Sequence, residues 1–273
     1  MAESPGALTH PSYGTLRAVT PTASVLLCHN PGQMSLDGTN TWILRAPGSD
    51  RVVVLDPGPE DPEHLRRVAD VGEVALTIAS HQHFDHTEGL DTFVKLTGSP
   101  VHAVTEEFRS GGGGGLEHGE VFEVDGLRLT VLRTPGHTKD SVSLVLDGIG
   151  PDDPGAVLTA DTILGHGTTV LDPQDGDLGD YLDSLDVLIE AGVGRICLPG
   201  HGPELPDVAA IARVYRDHRH ERLTQVRDAL ALMGPTADVK TIVEHVYQDV
   251  DPALWPVAAW SVEVQLRYLR ERA

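Results

Sequence analysis

Residues 81–86 read His-Gln-His-Phe-Asp-His and follow closely on the apolar run Val74–Ala79. Three imidazoles and one carboxylate crowd into six positions where a buried strand should end. A core does not accept so many unpaired polar groups, and a solvent loop has no need of them. Metal ions do. Neutral imidazole suits zinc and its first-row neighbours, and carboxylate oxygens complete a site that keeps one position for water. In a strand-to-loop segment alternate residues face the same way, so His81 and His83 can converge on one ion while Gln82 points elsewhere. Asp85 and His86 lie where the following turn can aim them at a second ion.

Each ion needs more ligands than this cluster gives, and three later turns supply them. His137 follows Thr134-Pro135-Gly136, Asp161 follows the strand-like Ala156–Thr159, and His201 sits inside Pro199-Gly200-His201-Gly202-Pro203. Glycines and prolines fix the backbone there and let a metal come close. Alone, a His after Pro-Gly reads as a surface residue; in this order behind the cluster, His137 and His201 read as ligands. Asp56, at the end of a strand, is a candidate partner for a ligand and equally a turn cap, and Thr138 is a second candidate partner. His102, His118, His218 and His220 are read as ordinary structural or solvated histidines, and His166 as a residue lining the site. His218 and His220, amid Arg216, Arg219 and Arg222, form a solvated helix face.

Between these turns the pattern alternates strand and helix. Strands are expected at Ala23–Cys28, Thr41–Leu44, Val52–Leu55, Val74–Ala79, Val101–Val104, Val121–Val124, Leu127–Leu132, Val142–Leu146, Ala156–Thr159 and Arg195–Leu198. Helices are expected over Glu60–Val71, from Thr87 to Leu96, and over Leu178–Ala191 with Leu182, Leu185 and Ile189 on one face. The glycine run Ser110–Gly115 reads as a mobile surface loop, with a lid over the site as the alternative. Cys28 and Cys197 are expected as buried thiols on strands, since two cysteines make no disulfide framework.

From Asp207 the texture becomes helical: Ile211–Met233, a break at Gly234-Pro235, Ala237–Tyr247 capped by Thr236, and Pro252–Arg272. Two domains follow, residues 1–204 and residues 205–273. Trp255 and Trp260, near Pro252 and Pro256, are read as core residues before a lid or a homodimer surface.

The formal charge of −21 is concentrated in the first part: residues 1–204 hold 11 basic and 31 acidic side chains, residues 205–273 hold 9 and 10. Such a body attracts cations and repels polyanions at long range. No signal-peptide pattern and no membrane-length apolar run is present, so a cytoplasmic protein with no membrane association is expected.

The order His81-x-His83-x-Asp85-His86, His137, Asp161, His201 resembles the metallo-β-lactamase superfamily, over roughly Val25 to Pro203. The resemblance implies an α/β fold, an αββα sandwich of two mixed sheets with helices outside and the site at one edge. It implies that His81, His83 and His137 bind one divalent ion, that Asp85, His86 and His201 bind a second, and that Asp161 bridges them; zinc is the expected metal. Within the superfamily, Leu36-Asp37-Gly38-Thr39-Asn40-Thr41-Trp42, Thr159–Thr169, Leu198–Pro203 and the tail from His218-Arg219-His220-Glu221-Arg222 to Trp260-Ser261-Val262 resemble the β-lactamase-like protein 2 group. There the tail is a small winged-helix-like domain, here with the hairpin wing missing.

Class B β-lactamases lack a carboxylate at the place of Asp161, and flavodiiron reductases carry Glu at the place of His83. Asp161 and His201 stand only 40 residues apart, which leaves no room for the insert of the β-CASP nucleases. The expected activity is therefore a dinuclear metal-dependent hydrolase acting through a metal-bridging hydroxide, with Asp85 orienting the nucleophile and passing a proton to the leaving group. A small ester, thioester or lactone suits the acidic body. A metal-dependent endoribonuclease on single-stranded RNA is the alternative, implied by the closer resemblance and by the Arg-rich stretch Arg213–Arg227. A purely structural metal site would be closed and has no use for a bridging Asp.

Overall fold

Val52-Val53-Val54-Leu55 is apolar at every position, the pattern of a strand covered on both faces. The computed structural model, which describes residues 9–150 and 153–272, shows that covering. Strands β1 (Arg17–Ala18), β2 (Ala23–Leu27), β3 (Asn40–Leu44), β4 (Arg51–Leu55), β5 (Glu73–Ile78) and β6 (Val101–His102) form one sheet in that order. Its first four strands pair antiparallel, and β5 and β6 join parallel. Strands β7 (Val121–Val124), β8 (Leu127–Arg133), β9 (Val142–Leu146), β10 (Ala156–Ala160) and β11 (Ile196–Pro199) form the second sheet, in the order β11-β10-β9-β8-β7. Only the β10–β11 pair is parallel in it.

Alternation along each strand separates three layers. Trp42, Leu44, Val53 and Leu55 of the first sheet meet Leu129, Val131, Leu144, Leu158 and Leu198 of the second. Ile43, Val52 and Val54 point outward against Leu65 and Val68 of helix α1 (Pro62–Ala69) and Phe93 of helix α3 (Leu90–Thr97). Val145, Val157 and Cys197 point the other way, against Tyr181, Leu182, Leu185 and Leu188 of helix α4 (Leu178–Ala191). This is the expected αββα sandwich.

After residue 204 the chain is helical: α5 (Val208–Met233), α6 (Val239–Val246) and α7 (Trp255–Glu271). Val226, Ala229, Ile242, Val243, Ala258 and Val262 make their own small core. The first half of α5 does not join it. Val208, Ala212 and Tyr215 share the core of α4 instead. No strand follows β11 among the described residues. No helix among them is long and apolar enough to cross a membrane.

Several expectations need correction. The helix from Thr87 to Leu96 is two helices, α2 (Phe84–Thr87) and α3, because Gly89 passes against the backbone of Gly58 and Pro59, where a side chain would collide. The Ser110–Gly115 run is neither loose nor a lid. It lies along the edge of β6, with Val101 N–H donating to Ser110 O (2.9 Å) and Ala103 N–H to Gly114 O (3.2 Å). A Cβ on Gly113 would strike Val101 O, so the glycines let backbone cover an otherwise open sheet edge. Arg219 is not on a solvated face but 4% exposed. Trp255 packs in the C-terminal core, but Trp260 is 39% exposed. Cys28 and Cys197 are both buried, Cys197 on β11 and Cys28 one residue past β2, and burial pushes both thiols up to about 12.

His64, inside α1, is buried with Nε2 2.9 Å from Thr41 Oγ1, and burial pushes it down to about 4. Between that value and the ordinary 6.5 the unfolded chain takes a proton that the folded chain refuses. Its contribution is therefore whole above pH 6.5 and is lost progressively as pH falls to about 4. His64→Gln should flatten the rise of urea stability across that window by about 3 kcal/mol; an unchanged slope excludes the assignment.

Candidate metal centre

Strand ends deliver the cluster. β4 and β5 run parallel, so Asp56 and Ser80–His81 emerge side by side at one edge of the first sheet. His83, Asp85 and His86 follow in the turn and in α2. On the second sheet β10 carries a register shift between Leu158 and Ala160, and Ala160 takes a left-handed φ of 44°. That kink turns Asp161 into the space between the sheets' ends. His201 arrives after β11 on a turn held by Asn40, whose Nδ2 donates to Pro199 O (3.0 Å) and Gly202 O (2.8 Å). Gly200 must stay bare, because a Cβ there would collide with Asp161 Oδ1.

All seven sequence-predicted ligands meet. His83 Nδ1 lies 3.1 Å from His81 Nε2 and 3.0 Å from His137 Nε2. His86 Nε2 lies 3.3 Å from His201 Nε2, and Asp85 Oδ2 lies 3.4 and 3.3 Å from those two nitrogens. Asp161 stands between the groups. Its Oδ2 is 3.8 Å from His81 Nε2, 3.7 Å from His137 Nε2 and 3.3 Å from His201 Nε2, while its Oδ1 is 3.6 Å from His86 Nε2.

The outer ring atoms fix where the protons are. His86 Nδ1 is 2.9 Å from the Asp56 carboxylate, His137 Nδ1 is 3.0 Å from Val170 O, and His201 Nδ1 is 2.9 Å from Gly38 O. Those partners only accept, so each Nδ1 carries a hydrogen, and in the neutral ring each Nε2 presents its lone pair to the centre. His81 is fixed one step further out. Ser80 Oγ donates to Asp56 Oδ2 (2.6 Å), so it must accept from His81 Nδ1–H (2.9 Å). Four Nε2 lone pairs thus converge on carboxylates that also only accept, and Asp161 Oδ1 is buried without a hydrogen-bond partner. Such an array repels itself unless cations fill it. The donors fall into groups with metal-ligand spacing, His81, His83, His137 and Asp161 in one and Asp85, His86 and His201 in another, and such groups fit divalent metal ions.

The electrostatics agree. Burial holds His81 well below the usual imidazole range and pushes His137 down to about 4, which keeps both neutral and able to ligate. Burial also opposes charge on His86, yet Asp85, Asp161 and Asp56 together lift it well above its ordinary value. Against the same burial, Asp161 and Asp85 lift His201 to about 10. Burial alone would raise Asp161 and Asp85, but His201 and His86 hold both below the usual carboxylate range. The carboxylates around His86 and His201 therefore favour positive charge in that half of the centre.

Of the weaker candidates, Asp56 is a partner of ligands rather than a turn cap. Its φ of 53° presents the carboxylate to Ser80 N–H (2.7 Å), Ser80 Oγ and His86 at once. Thr138 touches no ligand; its hydroxyl bonds Asp140 and Ser141 within its own turn. His166 is half exposed at the rim, 3.4 Å from Asp37. Ser80, Thr39 and Asn40 were missed as site residues. Thr39 Oγ1 donates to Asp85 Oδ2 at 2.9 Å. The signal was available in Ser80, directly before His81 at a strand end, and in the Thr39-Asn40 pair. The Val170 carbonyl has no signature in sequence.

The sequence pattern of the metallo-beta-lactamase superfamily matches residues 34–201. A protein named atrochrysone carboxyl ACP thioesterase, from Aspergillus chevalieri, is 32% identical over 226 residues, which are 81% of this chain and 69% of that protein. A beta-lactamase-like protein 2 homolog from Drosophila melanogaster is 29% identical over 267 residues, 89% of this chain and 85% of that one. In fold, the crystal structure of a beta-lactamase domain protein from Burkholderia ambifaria superposes with a TM-score of 0.79 at 18% identity, covering 98% of this chain and 91% of that one. With the sandwich, the ligand order and these matches in agreement, the chain belongs to the metallo-beta-lactamase superfamily of hydrolases.

Proposed function

We propose that this chain is a dinuclear, zinc-dependent hydrolase that cleaves a small thioester, or a related ester or lactone. The observation that carries it is the convergence of four Nε2 lone pairs on Asp161, with the outer nitrogens committed elsewhere. Imidazole-rich ligation favours zinc among the first-row metals. When bound, two such ions supply Lewis-acid polarisation of the substrate carbonyl and a water acidified towards neutral pH.

The protein's own groups do the rest. Asp85 is the catalytic carboxylate in this reading: Thr39 anchors its Oδ2, which leaves Oδ1 to take the proton of the attacking water and return it to the leaving sulfur or oxygen. Phe84, between His83 and Asp85, is 72% exposed and offers an apolar surface to an acyl group at the mouth of the site. Residues 1–204 carry the chemistry in this reading, and residues 205–273 form a helical unit docked on α4.

Two observations favour a thioester over single-stranded RNA as substrate. A relative bears the name of a thioesterase. The arginines of α5 that suggested a phosphate track are largely engaged: Arg216 pairs with Asp186 at 2.6 Å, Arg219 is buried, and Arg222 stacks on Tyr247 at 4.7 Å. RNA binding without a free basic face loses its main source of affinity.

Metal-replete protein should hydrolyse members of a thioester panel, lose that activity on chelation, and regain it with zinc. Labelled single-stranded RNA should survive the same incubation. Metal-dependent RNA cleavage with every thioester untouched overturns the substrate reading, and one ion per replete chain overturns the dinuclear one.

A further inference from the structure

All seven candidate ligands lie before residue 204, yet the segment from Asp161 to Asp177, between β10 and α4, has no regular structure to hold it. That segment supplies Asp161 itself and the Val170 carbonyl that fixes the His137 ring. It also supplies Asp175, which accepts from Gln82 Nε2 (2.8 Å) beside the His cluster and from Lys139 N–H (3.2 Å) beside His137.

Side chains of α5 and α7 grip it from outside. Tyr215 Oη accepts from Leu164 N–H (3.1 Å) and can donate to Gly167 O (3.0 Å). Arg267 donates to Pro173 O (2.8 Å) and Gly176 O. Arg219 Nη2 donates to Thr169 O, and its guanidinium lies over the Tyr181 ring, 5.0 Å from the centroid. Thr169 Oγ1 in turn reaches Asp161 O (2.8 Å), and Tyr181 Oη donates to Thr162 O (2.7 Å). One residue beyond Thr169 is Val170.

Arg219 is unusual in its own right. It is 96% buried, has no carboxylate in an ion pair with it among the described residues, and its Nε–H has no acceptor. An unpaired buried guanidinium is costly, and an apolar side chain would fill the space more cheaply. What the charge and fork provide is a grip on Thr169 O, and through Thr169 and Val170 on the two groups that orient Asp161 and His137.

The geometry points to Arg219 as a positioning residue of the metal centre, so that the C-terminal helices complete a site to which they contribute no ligand. The role presumes that the seven side chains hold metal, as proposed above, so its test is scored relative to whatever the unmodified protein binds.

The test compares unmodified full-length protein with Arg219→Met, which keeps an unbranched apolar stem without the charge or the donors, and Arg219→Lys, which keeps the charge without the guanidinium. Zinc affinity is read by competition with a chromophoric chelator, and amide hydrogen exchange is read over residues 162–171 in metal-free protein. Arg219→Met should bind zinc at least about tenfold more weakly and exchange faster in that segment, with the amides of β3–β5 unchanged; Arg219→Lys should recover part of both. Zinc affinity within twofold of the unmodified protein for Arg219→Met overturns the role, whatever its melting temperature. If Arg219→Met fails to fold, Arg219→Lys and Tyr215→Phe decide: unchanged affinity and exchange in both also overturns it. Fewer than two ions in the unmodified protein defeats the dinuclear reading alone and leaves these ratios interpretable.

Discussion

Asp161→Asn is expected to lower turnover by about three orders of magnitude, roughly 4 kcal/mol of transition-state stabilisation, while the protein stays folded. The carboxylate is 7% exposed and faces both halves of the centre, Oδ2 toward His81, His137 and His201 and Oδ1 toward His86. The amide keeps its shape but removes the negative charge that, in the proposed dinuclear reading, would let two cations sit close together. Metal analysis of replete protein should fall from two ions to one, alongside the rate. Two retained ions and a rate within tenfold of the unmodified protein would remove Asp161 from the bridging role.

Asp56→Asn should be nearly as damaging although Asp56 is not among the seven proposed ligands. The carboxylate takes three hydrogen bonds, from Ser80 N–H, Ser80 Oγ and His86 Nδ1. An amide that keeps its oxygen on Ser80 N–H turns its NH2 toward the other two. Ser80 Oγ then accepts and must donate to His81, and His86 Nδ1 must accept. Both rings are driven to the tautomer with hydrogen on Nε2, the atom that faces the centre. A single isosteric change thus disables one ligand in each half, and metal affinity should drop by about 100-fold. Competition with a chelator measures it, and the nitrogen chemical shifts of His81 and His86 report the tautomers. Unchanged shifts with unchanged affinity would show that Asp56 does not set these rings.

The ligand set was legible because its chemistry is local in sequence. Six positions hold three imidazoles and a carboxylate that neither a core nor a loop would choose, and the three later ligands each stand in a turn of Gly, Pro or strand end. Strand order along the chain was legible for the same reason, since apolar runs such as Val52–Leu55 and Val142–Leu146 read directly as buried strands. The two-residue β1 was too short to leave a period. The split between α2 and α3 depended on Gly89 meeting the backbone of Gly58 and Pro59, a contact between segments that no local pattern encodes.

Arg219 shows the boundary most clearly. In sequence it is one of five arginines on α5 and shares their look of a solvated face. Which of them turns inward is decided by the packing of α5 on α4 and by the carbonyl of Thr169, which lies 50 residues away. The sequence by itself determined which atoms could bind metal, since donor type is a property of the side chain, and its strand pattern was compatible with the sandwich that the family resemblance implied, since alternation is a property of the strand. Only the tertiary structure decided which ring nitrogens are left bare, because that depends on acceptors such as Gly38 O, Val170 O and Asp56 brought from separate segments. Only it decided that helices beyond residue 204 hold the segment carrying Asp161, because hydrogen bonds to a backbone carbonyl leave no mark on the residue that accepts them.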